Sequence, residues 1–392
     1  MTKFALDTLI SDFPAALEEK RVGVVCHAAS VTSDYVHIVD FLSQSNKCIL
    51  AAIFGPQHGL YGQTQDNMIE WEGAVHPKLK IPVYSLYGKV RKPTKEMLNG
   101  LDALIFDVQD VGARPYTYIW TLKWCMEACA DQGIPLWVLD RPNPIGALSA
   151  DGPVMSEEFY SFVGGAPIPL CHRLTMGEMA LILQKLYYQE VDLNIRWMEG
   201  WWRNSLWSQT GLPWVLPSPN MPTVDTAIVY PGQVLLEATN ISEGRGTTRP
   251  FELFGAPFIR HDQLRRHLQG NQIKGCILRE HDFIPSFQKW SGKYCRGFQI
   301  HVTDPHRFNS VEVSVAIIGA LIREYPEEFE WKQPPYEYEY EKLPFDILIG
   351  NSNVREALMQ GVSAAELRAQ WLSEYGPFEE LIGTVAHYRE QP

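Results

Sequence analysis

The chain has 392 residues, of which 45% are hydrophobic and 20% charged, so it contains enough apolar material for two globular domains. Its formal net charge of −12 argues against nucleic acid or an anionic membrane as the main partner. Residues 1–20 have no long apolar stretch and carry acids throughout, and no segment of the chain resembles a membrane helix. We therefore expect a cytoplasmic protein with no membrane partner.

Predicted strands and helices alternate in the first part of the chain. Short apolar runs predict strands over 22–26, 48–54, 82–86, 103–108 and 135–139, and apolar residues at helical spacing predict helices over 6–17, 35–43 and 119–132. Thr175 and Glu178 have the spacing of a capping box and predict a further helix start. This alternation predicts an α/β fold with a Rossmann-like parallel sheet.

The pattern changes towards the end of the chain. Helices are predicted over 262–269, 310–325 and 353–371, strands over 275–280 and 297–303, and an extended segment over 332–340. We therefore predict two domains, a Rossmann-like catalytic or sugar-binding domain over 1–254 and a smaller α+β auxiliary domain over 255–392.

Polar loops follow the predicted strands. The carboxyl ends of parallel strands meet at one edge of the sheet, where ligands bind. One such loop taken alone is more typical of a structural turn, but several that converge indicate a site for a ligand rich in hydroxyls and amides. The loop residues that we expect at this edge are Gln57, His58 and Gln63 after the second strand, Asp110, Arg114 and Tyr116 after the fourth, and Asp140, Arg141 and Asn143 after the fifth.

Several kinds of chemistry lack their motifs. The sequence has neither a phosphate-binding GxxxxGK[ST] loop nor a GxGxxG turn, and it has neither an HExxH metal motif nor a GxSxG nucleophile elbow. The seven cysteines are scattered and are typical of buried reduced thiols. We expect no cofactor and no metal, although a cofactor-dependent α/β enzyme stays open as a third hypothesis.

Carboxylates among amides and aromatics favour glycoside hydrolysis. That reaction uses one carboxylic acid to protonate the leaving oxygen and often a second carboxylate as base or nucleophile. Each candidate also has a structural interpretation: Asp110 can brace its loop, Asp140 can pair with Arg141, and Glu243 can pair with Arg245 or Arg249. The candidates are Glu70, Glu72, Asp107, Asp110, Asp140 and Glu243.

A series of motifs resembles one family. FGPQHG, PVYSLYG, FDVQDVGARPYTY, VLDRPNP, DGPV, PSPNMPT, EATNISEGRGTTRPFELFGAPF and GFQIHVTD occur in this order. They resemble the exo-β-N-acetylmuramidases, glycoside hydrolase family 171. The resemblance implies a Rossmann-like domain with a C-terminal auxiliary domain and an active site in the cleft between them. It also implies removal of terminal N-acetylmuramic acid from the non-reducing end of peptidoglycan fragments.

The chain departs from this family in the loop after the second strand. The family motif reads PEHG, with the glutamate as its leading catalytic candidate, whereas this chain has Gln57 there. An amide cannot act as an acid or base at neutral pH. We therefore expect catalysis by another carboxylate, Glu70 first, then Glu243 and Asp110.

The polar residues of these motifs are expected to bind the amino-sugar or muropeptide substrate. A cytoplasmic enzyme would meet recycled fragments, and the alternative is a sugar-binding protein of the same fold with altered catalysis. The expected binding residues are Gln57, His58, Gln63, Arg114, Tyr116, Asp140, Arg141, Asn143, Asn220, Asn240 and Arg245.

Overall fold

The computed structural model describes residues 2–66, 68–146, 148–269 and 273–390, and a seven-stranded sheet forms the centre of its first part. The strand order is β3-β4-β2-β1-β5-β6-β7, and every neighbouring pair is parallel except β3 and β4. The predicted α/β fold with a parallel sheet is confirmed. The strands are β1 (Arg21–Cys26), β2 (Ile49–Gly55), β3 (Ala74–Val75), β4 (Pro82–Ser85), β5 (Ala103–Asp107), β6 (Leu136–Leu139) and β7 (Leu193–Arg196).

The two central strands explain why the apolar runs in the sequence are continuous. Every residue of β5 is buried, as is every residue of β1 after Arg21, because helices cover both faces of the sheet. Their register sets Cys26 beside Asp107, so the two strands end level with each other. The chain proceeds to β2 on one side of β1 and to β5 on the other, which is the crossing point where open α/β sheets bind ligands.

Seven helices accompany this sheet. The predicted capping box at the start of α5 is present, with Thr175 and Glu178 each bonded to the other's backbone N–H. A segment that the sequence pattern left irregular contains α7, which packs so closely on a later helix that Gly232 leaves no room for a Cβ beside Ser310. The helices are α1 (Ala5–Ser11), α2 (Ile38–Gln44), α3 (Lys95–Leu98), α4 (Tyr118–Gln132), α5 (Met176–Tyr187), α6 (Trp207–Thr210) and α7 (Val224–Gln233).

A three-stranded antiparallel sheet lies in the last part of the chain, in the order β8-β10-β9. The single helix predicted over 353–371 is wrong, because the chain turns at Gly361 with a φ of 83° and forms two helices. The domain boundary at residue 255 stays a prediction. The elements are β8 (Leu253–Ala256), β9 (Cys276–Phe283), β10 (Cys295–Val302), α8 (His261–Gln269), α9 (Ser310–Glu324), α10 (Pro344–Ile349), α11 (Asn353–Met359), α12 (Ala364–Ser373) and α13 (Gly376–Val385).

Three further properties concern the described ranges alone. They contain no helix with the length and apolar character needed to cross a bilayer. They also contain no group of three or more His, Cys, Asp or Glu side chains arranged to hold a metal ion. None of the seven cysteines forms a disulfide, and all but Cys276 are buried.

Candidate active site

A small cavity of about 40 Å³ lies beyond the carboxyl ends of β2 and β5, where the two parts of the chain meet. The first part contributes the loop after β2, the start of α4 and the segment before α7, and the second contributes a turn after α9. The lining residues are Gln57, His58, Pro115, Tyr116, Thr117, Tyr118, Val163, Ser218, Asn220, Met221, Tyr230, Glu237, Arg245, Phe251, Tyr336 and Glu337.

Gln57 is buried in this cavity, and its amide has a fixed orientation. The Thr117 hydroxyl donates to Gln57 Oε1 across 2.5 Å. The amide nitrogen is therefore the end that is left to donate, and Gln57 hydrogen-bonds the Glu337 carboxylate. Gln57 thus acts as a hydrogen-bond donor to an acidic group rather than as an acid.

His58, the next residue, is neutral. Its Nδ1 lies 2.7 Å from the carbonyl oxygen of Thr64, and because a carbonyl only accepts, Nδ1 carries the proton. Burial lowers the pKa of His58 to about 4. Its backbone adopts a φ of 70°, a left-handed conformation that is uncommon outside glycine. The loop therefore turns sharply at the point where it enters the cavity.

Aromatic rings form one wall of the cavity. Tyr116 packs edge-on against Tyr118 with ring centroids 4.8 Å apart and against Tyr230 at 5.6 Å, and Tyr230 packs edge-on against Phe251 at 4.8 Å. The Tyr118 hydroxyl donates to the Pro217 carbonyl across 2.6 Å. These contacts fix a rigid apolar surface with polar edges, which suits the face of a sugar ring.

Glu337 is the acidic side chain at the opposite wall, and it is only 3% exposed. The Tyr87 hydroxyl donates to its Oε2 across 3.0 Å. Burial raises the pKa of Glu337 to about 7, and the negative charge of Glu237 adds to this rise, while the hydrogen bonds from Tyr87 and Gln57 oppose it. Glu337 is therefore substantially protonated at neutral pH.

A strained turn holds Glu337 in place. Tyr336 and Glu339 exchange two backbone hydrogen bonds of 2.9 Å, and the two residues between them have φ values of 44° for Glu337 and 68° for Tyr338. Turns with two positive φ values usually contain glycine or asparagine. On the outer side, the Arg91 guanidinium stacks 3.3 Å from the centre of the Tyr338 ring. The surrounding contacts therefore impose a backbone conformation that this sequence does not favour.

Glu237 is a second buried glutamate in the cavity, and it is ionised. It follows α7 at a short 3₁₀ helix, Val234–Ala238. Arg245 Nη2 lies 2.7 Å from its Oε1, and the Tyr336 hydroxyl donates to Oε2 across 2.6 Å. Burial by itself would raise the pKa of Glu237, but Arg245 and Tyr336 hold it below its ordinary value. One cavity therefore contains two glutamates whose pKa values are shifted in opposite directions, the division found in acid–base pairs.

A second cavity, of about 320 Å³, lies on the other side of Glu237 and contains Glu243 and Asn240. Lys289 Nζ lies 2.7 Å from Glu243 Oε2, and Arg245 Nε lies 3.3 Å from Oε1. The Asn240 amide bonds backbone groups of Glu328 and Glu330. Glu243 therefore takes part in buried ion pairs beside the first cavity, whereas Asn240 is half-buried and braces a neighbouring backbone segment.

The structure brings some of the predicted residues into the first cavity and disperses others. The five that line it are Gln57, His58, Tyr116, Asn220 and Arg245. Glu70 lies at the surface, 48% exposed, where it accepts a hydrogen bond of 3.1 Å from the Tyr338 hydroxyl. Gln63 is also exposed, and its Oε1 accepts from the backbone N–H of Tyr61.

Arg141, Asp140 and Asn143 converge at the sheet edge, but each is engaged in internal contacts. Arg141 forms a two-pronged ion pair with Asp107, at 2.5 and 2.9 Å, rather than with Asp140. Asp140 accepts from the Gly177 N–H at 2.8 Å and from the Tyr388 hydroxyl at 2.6 Å. The Asn143 amide donates to the Leu174 carbonyl. These groups connect segments of the fold.

Arg114 and Asp110 lie in the loop after β5 and are also buried. Arg114 donates to the carbonyls of Pro153, Ile168 and Leu348 at 2.8–3.0 Å, so it connects the two parts of the chain. Asp110 accepts from the Gly112 N–H at 2.6 Å, with His172 Nε2 3.5 Å from the same oxygen. Neither residue lines the first cavity.

The sequence analysis did not select either glutamate of the acidic pair. Glu337 lies in KQPPYEYEY, where alternating acids and aromatics between prolines looked like an extended segment. Glu237 lies in the apolar run VLLEA, and a lone acid in such a run is a usable signal, because an acid is rarely buried without a partner.

A parallel sheet whose carboxyl edge faces a cavity with two buried glutamates is the arrangement expected of a glycoside hydrolase of α/β architecture. Residues 22–225 match the family model described as "Exo-beta-N-acetylmuramidase NamZ, N-terminal", and residues 228–388 match its C-terminal counterpart. The chain belongs to the NamZ exo-β-N-acetylmuramidase family, as its motifs predicted.

Relatives and solved structures agree with this assignment. The chain is 43% identical over 362 residues to the peptidoglycan β-N-acetylmuramidase NamZ of Bacillus subtilis strain 168, an alignment that covers 92% of this chain and 85% of that protein. A crystal structure of a DUF1343 family protein from Bacteroides fragilis NCTC 9343 superimposes with a TM-score of 0.87 at 31% identity, covering 99% of both chains. A second such protein from the same organism gives 0.76 at 26% identity, covering 100% of both.

Proposed function

We propose that this protein is an exo-acting glycosidase that releases terminal N-acetylmuramic acid from the non-reducing end of peptidoglycan-derived fragments. The observation that carries the proposal is the pair of buried glutamates, Glu337 and Glu237, that line one cavity at the carboxyl edge of the sheet. Glycoside hydrolysis requires a carboxylic acid at the leaving oxygen, and an ionised group near the anomeric carbon stabilises the positive charge that develops there.

The other lining groups suit an N-acetylated sugar acid. Amide and hydroxyl side chains at Gln57, Asn220 and Ser218 offer hydrogen bonds to sugar hydroxyls and to the acetamido group. Arg245 brings a guanidinium to the same cavity, the group best suited to a carboxylate such as the lactyl group of muramic acid. The Tyr116 and Tyr230 rings supply the apolar surface.

The test is hydrolysis of a disaccharide of N-acetylmuramic acid β-linked to N-acetylglucosamine. We expect release of free N-acetylmuramic acid, and we expect much slower hydrolysis of the matched substrate that begins with N-acetylglucosamine, which lacks the lactyl carboxylate. Longer fragments should be shortened only from an end that carries N-acetylmuramic acid. Calorimetric binding of the disaccharide without any turnover by the folded protein would instead support a sugar-binding protein.

We propose further that the enzyme acts in the cytoplasm on recycled fragments. The support is chemical: seven unpaired cysteines, six of them buried, are typical of a reducing compartment. Fractionation of producing cells should recover the disaccharide-cleaving activity with cytoplasmic marker enzymes, and recovery in the culture medium or cell-wall fraction would contradict this location.

A further inference from the structure

We propose that Glu337 is the catalytic acid that protonates the leaving oxygen, and that Gln57 and Tyr87 are positioning residues that hold its carboxyl group. The proposal rests on the glycosidase function proposed above and names the group that performs its first step. Gln57 itself cannot supply the proton, since an amide does not ionise at neutral pH. An acid from another part of the chain must therefore do so.

The backbone of the turn that carries Glu337 is strained. Two consecutive residues without the freedom of glycine, Glu337 and Tyr338, have φ values of 44° and 68°. Such backbone conformations are strained, and strain of this kind is concentrated at functional sites. Arg91 stacks on Tyr338 from outside, and the Tyr336 hydroxyl is bonded to Glu237 on the inside. The turn is therefore fixed at both sides with Glu337 directed into the cavity.

Hydrogen bonds from two side chains hold the Glu337 carboxyl group. Tyr87 donates to Oε2, and Tyr87 is itself fixed because its oxygen accepts the Met68 N–H at 2.9 Å. Gln57 donates from the loop after β2, and Thr117 fixes its orientation. The two donors come from different loops at the sheet edge. They hold a side chain that remains in contact with the cavity.

Asp140 is a second buried carboxyl group with which Glu337 can be compared. Burial raises the pKa of Asp140 to about 7, as it does for Glu337. However, the two oxygens of Asp140 accept from Gly177 and Tyr388, and Asp140 does not line the cavity. Location and access therefore select Glu337, whereas a raised pKa alone would not distinguish the two.

The other acids near the cavity are committed elsewhere. Glu237 is held ionised by Arg245, and Glu243 forms an ion pair of 2.7 Å with Lys289. Glu70 is 48% exposed on the outer side of the turn. Glu70 is not among the residues that line the first cavity, so its carboxyl group lies outside the site.

Cleavage of the glycosidic bond uses the Glu337 proton and one water molecule. The Glu337 proton passes to the glycosidic oxygen while the bond from that oxygen to the anomeric carbon breaks, and the bonding electron pair stays on the oxygen. One water molecule then supplies the hydroxyl group at the anomeric carbon and one proton, which restores the Glu337 acid. Glu237 remains ionised throughout and stabilises the positive charge at the anomeric carbon.

The test is Glu337→Gln assayed on two substrates with different leaving groups. The disaccharide needs a proton at its leaving oxygen, whereas a 2,4-dinitrophenyl β-glycoside of N-acetylmuramic acid does not. We expect a loss of at least about 100-fold in kcat on the disaccharide and less than about tenfold on the aryl glycoside. Glu339→Gln is the matched control, because it changes the same turn at a side chain that bonds the backbone of Glu341 and Lys342 instead.

The pH profile gives a second readout that a purely structural role would not change. In the wild type, kcat/KM on the disaccharide should fall above about pH 7, where Glu337 ionises. This alkaline limb should be missing from the residual disaccharide activity of Glu337→Gln, and both proteins should lack it on the aryl glycoside, which needs no proton. The substituted side chain can still accept from Tyr87, so we expect the variant to fold, which thermal unfolding checks.

The outcomes separate this proposal from the function on which it rests. A wild type that cleaves neither substrate overturns both. A wild type that cleaves the disaccharide, together with an equally active Glu337→Gln, overturns the assignment of Glu337 alone. A leaving-group-dependent loss in Glu70→Gln, with disaccharide activity retained in Glu337→Gln, would move the acid to Glu70.

Discussion

The Tyr87 hydroxyl donates to Glu337 Oε2 across 3.0 Å, and the two residues are 250 positions apart in the chain. Both are buried, at 0% and 3% exposure. A tyrosine from the central-sheet domain therefore sets the acidity of a glutamate in the other part of the molecule, because a hydrogen bond to a carboxylate favours its ionised form. This contact makes the acidity of Glu337 adjustable by single substitutions.

Removal of the Tyr87 hydroxyl should shift the pH dependence of the enzyme. In Tyr87→Phe the ionised form of Glu337 loses a donor, so its pKa rises and the alkaline limb of kcat/KM moves to higher pH. The free energy of unfolding should fall by about 1–3 kcal/mol, because the Met68 N–H loses its acceptor. Tyr338→Phe is the control, since that hydroxyl bonds Glu70. An alkaline limb that does not move would contradict the role of Tyr87.

Gln57→Glu should move the alkaline limb in the same direction by another route. The substitution replaces a donor to Glu337 with a second carboxyl group, and two neighbouring carboxyl groups cannot both ionise easily. The Thr117 hydroxyl can still donate to the new side chain. We expect activity at more alkaline pH than in the wild type. Gln65→Glu, an equal change on an exposed residue of the same loop, should leave the profile unchanged.

Loss of the Arg245 guanidinium should reduce stability and activity together. Arg245→Met leaves Glu237 buried without its partner, and breaking a buried pair from one side costs about 3–5 kcal/mol. Both the disaccharide and the aryl glycoside should be cleaved more slowly, because Glu237 acts on charge that both substrates develop. Urea unfolding and kcat on the two substrates measure these effects.

The control for Arg245→Met is Arg249→Met. The Arg249 side chain is 45% exposed, and it meets Glu252 at 3.3 Å. Because partly exposed ion pairs are weak, this variant should lose at most about 1 kcal/mol. Equal losses in the two variants would contradict the buried pair as the cause.

The stability of Glu337→Gln relative to the wild type should depend on pH. In the folded wild type Glu337 keeps its proton up to about pH 7, whereas in the unfolded chain it ionises near 4.5. The folded state therefore binds more protons between these values, and the contribution of Glu337 to stability falls as pH rises, by up to about 1.4 kcal/mol per pH unit. Glutamine does not titrate, so the free energy of unfolding of the variant should rise relative to that of the wild type from pH 5 to pH 7.

Comparison of the two proteins is needed because other groups act in the opposite sense. Burial lowers the pKa of His27 to about 3 and that of His58 to about 4, so both destabilise the folded state as pH falls below 6.5. Their contribution is common to the wild type and the variant and cancels in the difference. A difference in urea midpoint that stays constant from pH 5 to pH 7 would contradict the raised pKa of Glu337.

The sequence predicted the fold correctly where the local residue pattern and the tertiary environment favour the same element. Continuous apolar runs predicted β1 and β5 because both are buried on two faces. The helix α7 was not predicted, since Pro231 lies inside it and the surrounding residues are typical of loops. Packing against α9, with Ser310 bonded to the Gly232 N–H at 2.8 Å, overrides those preferences.

The sequence predicted only part of the site. Because loops that follow parallel strands converge at one edge of the sheet, Gln57 and His58 were correctly expected there, and both line the cavity. The same reasoning could not show that Arg141 is occupied by Asp107, because pairing depends on side-chain distances. Glu337 could not be located from the sheet, because it reaches the cavity on a turn far along the chain whose conformation is set by Arg91, Tyr338 and Tyr87.

The order in which the cavity's parts are synthesised has a consequence for activity during translation. The parallel sheet, Tyr116, Tyr230 and Gln57 all precede Arg245 in the chain, whereas the turn at 336–339 follows both sheets. A nascent chain released before that turn contains β1 to β7 of the central sheet yet lacks Glu337. Hydrolysis by a ribosome-released fragment is therefore not expected, and sugar cleavage would report that synthesis has passed α9. A pair of fragments divided between α9 and the turn should regain cleavage only on reassociation.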